Sequence, residues 1–414
     1  MPRKMTVEQT AAQDLHRIGA RIRTARLANN LSMQTLAEYA STTRQTISRI
    51  ESGDQRVAFA TILAVLGQLD EVASTEASGG NRARTPAWQK AWQASITDPA
   101  VLIEQLNLDP ALLEPARRAS QLFALRIPQA YLKRIKPGDP ADPLLRQVLP
   151  LGEEAGVKAG FIDDPVGDGA SLQAGGVIHK YHGRALLVAT GACAINCRYC
   201  FRRHFPYAKA NASAGQWQQA IDYLNADNRI EEVILSGGDP LSLNDRRLSQ
   251  LATALTTIPH LKRLRIHSRL PVVLPARIDA AMLEWFTGHR LQPIMVIHAN
   301  HPNELDADVA KAMQRLASRG VALFNQAVLL RGVNDHVDVQ MALSKRLFAI
   351  GVQPYYLHLL DRVQGAAHFE LPEATASRLM RELAAKLPGY LLPRLVREVA
   401  GEPWKVPVHW TPNP

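Results

Sequence analysis

All three cysteines of the sequence, Cys193, Cys197 and Cys200, stand in one stretch, ATGACAINCRYCFRRHFPY, at residues 189–207. Three thiols cannot all pair as disulfides. Clustered in a reducing compartment, they read as metal ligands or catalytic groups. At the spacing CxxxCxxC, three thiolates can each hold one iron of a cubane cluster, whose usual complement is four. The missing ligand leaves one iron open to a small molecule. The alternatives are buried free thiols, or a structural zinc site with His204 as the fourth ligand.

The elements around this stretch place it where chemistry is expected. From residue 185 the pattern is strand-like runs, ALLVAT, EEVILSGG, RLRIHSR, PIMVIHA, ALFNQAVLL and QPYYLHLL, with helical segments such as RRLSQLATALTTI, DADVAKAMQRLASRG and VDVQMALSKRLFAIG between most of them. Alternating units of this kind predict a parallel sheet, either open or closed into a barrel. The first run leads directly into the cysteines, and such folds keep their active sites in loops after the strands. Residues 86–180 read as mainly helical and irregular, with joints such as KPGDPADP.

The first 72 residues follow a different rhythm. LHRIGARIRTARLANN sets Leu15, Ile18, Ile22, Ala25 and Leu27 along one helical face. LSMQTLAEYA follows, with Ser32 as N-cap, then RQTISRIESG, closed by Gly53, and the apolar AFATILAVLGQLD. EVASTEASGGNRARTP reads as a linker. The domain reading is a flexible N-terminus at 1–14, a helical domain at 15–72, a linker at 73–85, a helical region at 86–180, an α/β domain at 181–408 and a tail at 409–414.

The formal charge of +10 points to anionic partners, such as nucleic acid or phosphorylated ligands. Residues 1–85 carry eleven Lys and Arg against eight Asp and Glu, so most of the excess lies further on. The polar start MPRKMTVEQTAAQDLHR and the absence of a long apolar run predict a soluble, cytoplasmic chain.

The cysteine loop, with Tyr199 before the third cysteine, resembles the radical S-adenosylmethionine (SAM) superfamily. SGGDP, Ser236 to Pro240, resembles its glycine motif beside the methionine amine, which implies Ser236, Gly237, Gly238 and Asp239 as cofactor-binding residues. The implied fold is a partial (β/α)6 barrel with a helical N-terminal extension. CRYCFRRHF, SGGDPL, SRLPVVLPARI, NHPNE and NQAVLLRGVND are similar to the lysine 2,3-aminomutase family. The tail LVREVAGEPWKVP is similar to the EpmB-type branch that modifies elongation factor P. The free-lysine catabolic enzymes carry extra cysteines for a zinc site, and this chain has none.

This resemblance implies a [4Fe–4S] cluster on Cys193, Cys197 and Cys200, SAM, and pyridoxal 5′-phosphate (PLP) anchored on Lys405. Lys180 and Tyr181 match residues that hold the PLP phosphate; Lys180 keeps the charge of the usual arginine and loses its fork. Arg202 matches the arginine on the amino-acid carboxylate, and Tyr355 a tyrosine beside the PLP ring. His358 and Glu398 match two aspartates that hold the distal ammonium. His358 is a departure; Asp361, three residues on, reads either as a substitute or as a plain loop charge. The implied reaction uses a 5′-deoxyadenosyl radical to turn L-α-lysine into β-lysine. A ligase acting on elongation factor P and a reductant such as flavodoxin or ferredoxin are the implied partners.

LSMQTLAEYASTTRQTISRIESG resembles the Cro/repressor-type helix-turn-helix, with Ser41 in place of the usual turn glycine. By position Arg44, Gln45 and Arg49 would face DNA bases. Such modules normally bind as dimers, which implies a homodimer. Two other readings stand beside the enzyme. One is a transcription regulator that uses an aminomutase-like domain to sense lysine or SAM. The other is an aminomutase for a different amino acid, which His358 keeps open.

Overall fold

A computed structural model describes residues 7–28, 85–150, 152–207 and 214–410, and in the N-terminal region residues 31, 33, 36, 37, 40, 42–54, 56–58, 61, 62, 65, 66 and 69. Ser32, Ser41, residues 73–84 of the expected linker and 411–414 of the expected tail lie outside them. The chain divides into two compact units at Thr85/Pro86, the end of the expected linker.

In the first unit, helix α1 (Val7–Ala28) starts eight residues before the expected Leu15, so most of the stretch expected to be flexible is helical. Helix α2 (Arg44–Glu51) begins at Thr43, whose hydroxyl accepts the Thr46 N–H. It ends at Gly53, whose φ of +74° suits a residue without a side chain. Ile22, Leu36, Ala37, Ile47, Ile50, Ile62, Val65 and Leu69 form its core. Leu27 departs from the expected face and is 55% exposed. Its neighbour Arg26 turns inward instead, where Nε meets Glu51 Oε1 at 2.5 Å.

In the second unit the described residues form a nine-stranded sheet in sequence order. Strands β1 (Val177–Tyr181) and β2 (Arg184–Thr190) are an antiparallel hairpin. From β2 the sheet runs parallel through β3 (Glu232–Gly237), β4 (Arg263–Ser268), β5 (Gln292–Ile297), β6 (Ala322–Val328), β7 (Gln353–His358) and β8 (Arg394–Arg397). The antiparallel β9 (Val406–Pro407) ends it. The sheet is an open, partial barrel. It has a seventh parallel strand, β8, beyond the six expected, and β1 adds a strand to the region expected to be helical.

Numbering helices of seven residues or more, α3 (Ala87–Gln93), α4 (Pro99–Gln105) and α5 (Leu113–Leu122) precede the sheet. Between and after the strands come α6 (Ala214–Ala226), α7 (Asp245–Thr256), α8 (Ala280–Thr287), α9 (Ala307–Ala317), α10 (Val337–Ala349) and α11 (Glu373–Lys386). Capping sets their starts: Asn244 accepts the Arg247 N–H and Asp306 the Val309 N–H. Trp88, Leu102, Tyr131 and Leu144 of the leading region share one core with Leu187, Leu235, Ile266 and Met295 of the strands. The leading helices therefore form part of the barrel's body. Every parallel connection brings the strand ends to the same edge, where the cysteine loop starts at Gly191.

Candidate active site

The cysteine loop is built from two strand ends. Past β3, Gly238 N–H donates to Thr190 O at 2.7 Å and Asp239 N–H to Ala192 O at 2.8 Å. A Cβ on Gly237 would lie 2.5 Å from Thr190 O, and one on Gly238 2.4 Å from Ala192 O. The glycines of SGGDP are thus required by the contact with the cysteine loop. Asp239 is buried, and its carboxylate accepts from Ser268 Oγ, Arg269 N, Leu270 N and Leu241 N at 2.7–3.1 Å. That carboxylate is committed to the turn after β4, so Asp239 positions the loop rather than presenting a free acid.

The far side of the loop is pinned by charge. Glu154 is fully buried and accepts from Arg198 Nε at 2.7 Å and Arg203 Nη2 at 2.8 Å, the two arginines that flank Cys200. Arg198 Nη1 also reaches Phe123 O at 2.7 Å. Between these anchors lie the three thiols, half-buried and close enough to feel one another's charge. Burial first, then the neighbouring Cys200, Asp239 and Cys197, pushes the Cys193 thiol well up. Burial and Cys197 push Cys200 up to about 11. Half-buried thiols of this kind become thiolates when metal takes the proton's place. Among the described residues no three His, Cys, Asp or Glu side chains converge on a point that suits one ion. His204 points its Nε2 at Gln364 O, 3.1 Å away. His204 is thus engaged by a backbone carbonyl, and the thiols of Cys193, Cys197 and Cys200 are the loop's candidate cluster ligands.

Next to the loop the predicted binding residues join in one polar chain. Arg202 donates through Nε to Asp168 Oδ2 at 2.7 Å and through Nη1 to Ser236 Oγ at 3.0 Å. Lys180 Nζ lies 2.7 Å from Asp168 Oδ1, 2.7 Å from Val166 O and 3.7 Å from Glu398 Oε1. Lys405 Nζ lies 2.7 Å from Glu398 Oε2, and the Tyr181 hydroxyl donates to Glu398 Oε1. Burial alone would push Asp168 up, but Arg202 and Lys180 outweigh it and hold its carboxyl below the usual range. Lys405, Tyr181 and Lys180 do the same for Glu398 against its burial. Asp168 is the junction of this chain and carried no sequence signal, being one acid in a Gly- and Pro-rich loop. The lysine and the groups predicted for the phosphate and the carboxylate are thus contiguous, which fits a phosphorylated cofactor bound next to an amino acid.

The strand-end residues are less uniform. Tyr355 donates to the Tyr356 hydroxyl at 3.0 Å, and it is the Tyr356 ring that lies 5.9 Å from Lys405 Nζ. His358 is buried at the end of β7, with Nε2 unpartnered, and burial together with Lys405 and His298 drives it to the neutral form. Asp361 has no hydrogen bond or ion pair to its carboxylate among the described residues. Burial raises it to about 7, against the pull of Lys405 and in step with Glu398 and Asp168. A neutral imidazole and a free carboxyl thus stand three residues apart beside the same lysine.

In the first unit, Arg44 and Gln45 are exposed at the start of α2. Arg49 is tied to Asp54 at 2.9 Å, an acid it shares with Arg56.

Comparison with known proteins agrees with this geometry. Residues 187–342 match the radical SAM superfamily and residues 22–73 a helix-turn-helix family. The chain is 50% identical over 314 residues to the L-lysine 2,3-aminomutase of Escherichia coli (strain K12), covering 76% of this chain and 92% of that one. It is 47% identical to the enzyme of that name from Haemophilus influenzae, over 77% of this chain and 94% of that one. To the enzyme from Clostridium subterminale it is 36% identical, over 77% of each chain. Among solved structures, native anSMEcpe with bound AdoMet and Kp18Cys peptide superposes with a TM-score of 0.38 and 12% identity over 48% of this chain and 57% of that one, a distant likeness. No described helix is long and apolar enough to cross a membrane. With its cysteine loop, its open barrel and these relatives, the chain belongs to the lysine 2,3-aminomutase family of radical SAM enzymes, whose cofactors are a [4Fe–4S] cluster, SAM and PLP.

Proposed function

We propose that the protein converts L-α-lysine into β-lysine for the modification of elongation factor P. The observation that carries this reading is the unbroken chain from Arg202 through Asp168, Lys180 and Glu398 to Lys405, set against the cysteine loop. The service to elongation factor P rests on the likeness of the tail LVREVAGEPWKVP to that branch.

When bound, the cluster and SAM supply a radical able to take hydrogen from an unactivated carbon, and PLP supplies a π-system that spreads the unpaired electron. The residues of this chain do the rest. Cys193, Cys197 and Cys200 hold the cluster. Lys405 would anchor PLP, and Glu398 holds and orients its ammonium. Lys180 and Tyr181 receive the phosphate. Arg202, fixed on Asp168 and Ser236, presents a guanidinium to the amino-acid carboxylate. Asp361, whose carboxylate has no partner among the described residues, takes the distal ammonium. His358, neutral beside it, offers one hydrogen-bond acceptor and no charge. The packed loops around these groups exclude water. The exposed Arg44 and Gln45 of the N-terminal unit bind DNA.

An anaerobic turnover assay tests the reading. Protein with reconstituted cluster receives SAM, PLP, a reductant and L-lysine, and mass spectrometry follows β-lysine and 5′-deoxyadenosine. Both products are expected, with neither rearrangement nor β-lysine from Cys197→Ala or Lys405→Ala. Elongation factor P and its ligase, added afterwards, should acquire the β-lysine. Deoxyadenosine without β-lysine would reassign the enzyme to another amino acid. Neither product from a fully loaded cluster would favour a sensor of lysine or SAM.

A further inference from the structure

Arg269, immediately after β4, is a buried cation that the roles assigned so far do not use. It is 4% exposed. Its Nη1 lies 2.7 Å from Cys197 Sγ. Its Nη2 is fixed by Gln147 Oε1 at 2.7 Å and Glu304 Oε2 at 3.0 Å, and approaches the Tyr131 hydroxyl at 3.4 Å. Its backbone N–H is held by Asp239. Glu304 is itself fully buried, with Oε1 accepting from Asn300 N, His301 N and Gln147 Nε2. The guanidinium therefore has one orientation, with one edge on a carboxylate and the other on a ligand sulfur. Cys200, by contrast, is approached by the backbone N–H of Arg202.

We propose that Arg269 sets the reduction potential of the cluster through its hydrogen bond to Cys197, with Glu304 as the counterweight that limits the effect. The inference rests on the cluster reading above and concerns a different property. Reduction adds one negative charge to the cluster, part of it on the sulfurs. A cationic donor on a sulfur stabilises the reduced form more than the oxidised form. Burial strengthens the effect, because little water screens it. Hydrogen bonds to ligand sulfurs and local charge are recognised levers on such potentials. Glu304 carries the opposite sign and lies one guanidinium further away, so it lowers the potential by less than Arg269 raises it. Arg269 is a tuning residue that acts through the ligand sulfur it touches.

The test is a redox titration followed by electron paramagnetic resonance on the full chain with reconstituted cluster, without SAM or substrate. Arg269→Gln, which keeps a donor and loses the charge, should make the cluster at least tenfold harder to reduce, equivalent to about 59 mV for one electron. Arg269→Met, which loses both, should shift it further in the same direction. Glu304→Gln, which keeps the shape and frees the guanidinium, should shift the potential the other way. Iron and sulfide per chain are measured in each. If the arginine variants load cluster and their potentials match the parent, or if Glu304→Gln moves with them, the tuning role is overturned and the cluster reading survives. If Arg269→Met fails to load cluster, the opposite shift of Glu304→Gln decides alone. If the parent chain takes up no iron or sulfide, both readings fall.

Discussion

Asp361 makes the proposed substrate contact testable by pH. An ammonium binds a carboxylate and not a carboxylic acid. With the group raised to about 7, most chains at pH 6 hold it protonated and most at pH 8 hold it charged. The expected kcat/KM for lysine therefore rises about tenfold per unit on the acid side and levels above pH 7. Asp361→Asn should remove that limb and raise KM, whereas His358→Gln should leave the limb in place. A pH profile of the three proteins checks this. Asp168 carries a second expectation. Asp168→Asn leaves the buried Arg202 and the half-buried Lys180 without their shared acid. Breaking a buried pair in this way costs about 3–5 kcal/mol, to be read as a lowered Tm together with a loss in kcat/KM. The cysteines were legible from their type and spacing, and Arg202, Glu398 and Lys405 were legible as candidates through the family resemblance alone. Asp168, Arg269 and Glu304 were not. Each earns its place through contacts across 34 or 35 positions of sequence, and no local pattern marks which acid or arginine will be buried.

At the scale of elements, the contact between the β2 and β3 ends decides whether the cysteine loop is preformed. Gly238→Ala would put a methyl 2.4 Å from Ala192 O, a backbone atom that cannot swing aside. The expected outcome is a destabilisation of about 1–3 kcal/mol, the usual range for overpacking, seen as a lower Tm, with fewer irons per chain because the displaced backbone carries Cys193. Circular dichroism melts and iron analysis give the two readouts. Six of the seven parallel strands were legible as apolar runs. Strand β8 was not, since RLVR is four residues with an arginine at each end, and β9 has only two. Both become strands by pairing with a sheet that already exists, so their signal lies in the neighbour rather than in themselves. The hairpin strand β1 was missed for a similar reason: VIHKY is half-buried and lies at the sheet's edge. In α1, Leu27 was assigned inward from its apolar type, but buried positions at Ile22 and Arg26 follow a four-residue step that leaves it outside. An arginine with a buried glutamate partner replaced the expected leucine.

On the scale of the whole molecule, an enzyme of this family carries a second compact unit of the helix-turn-helix kind, and the two make separable claims. The start of α2 presents Arg44 and Gln45 to solvent, with side chains suited to guanine and adenine edges. Arg49 is less available, since Asp54 already holds it and is in turn held by Arg56. Affinity for DNA depends mainly on phosphates neutralised, with a salt slope of about −0.9 for each. A unit whose eleven cations are offset by eight acids should therefore bind with a shallow slope and weakly at physiological salt. A regulatory role predicts that the full chain retards the DNA immediately upstream of its own gene at low salt, and an unrelated duplex less. Arg44→Ala and Gln45→Ala should weaken that preference, while Arg49→Ala should weaken it less and cost stability through the lost Asp54 pair. None of the three should change β-lysine formation, because every residue assigned to that reaction lies after Pro86. Equal retardation of both duplexes would reduce the unit to a nonspecific cation. If neither is retarded at low salt while turnover is intact, the helix-turn-helix serves as a docking surface for a protein, and the catalytic reading is untouched.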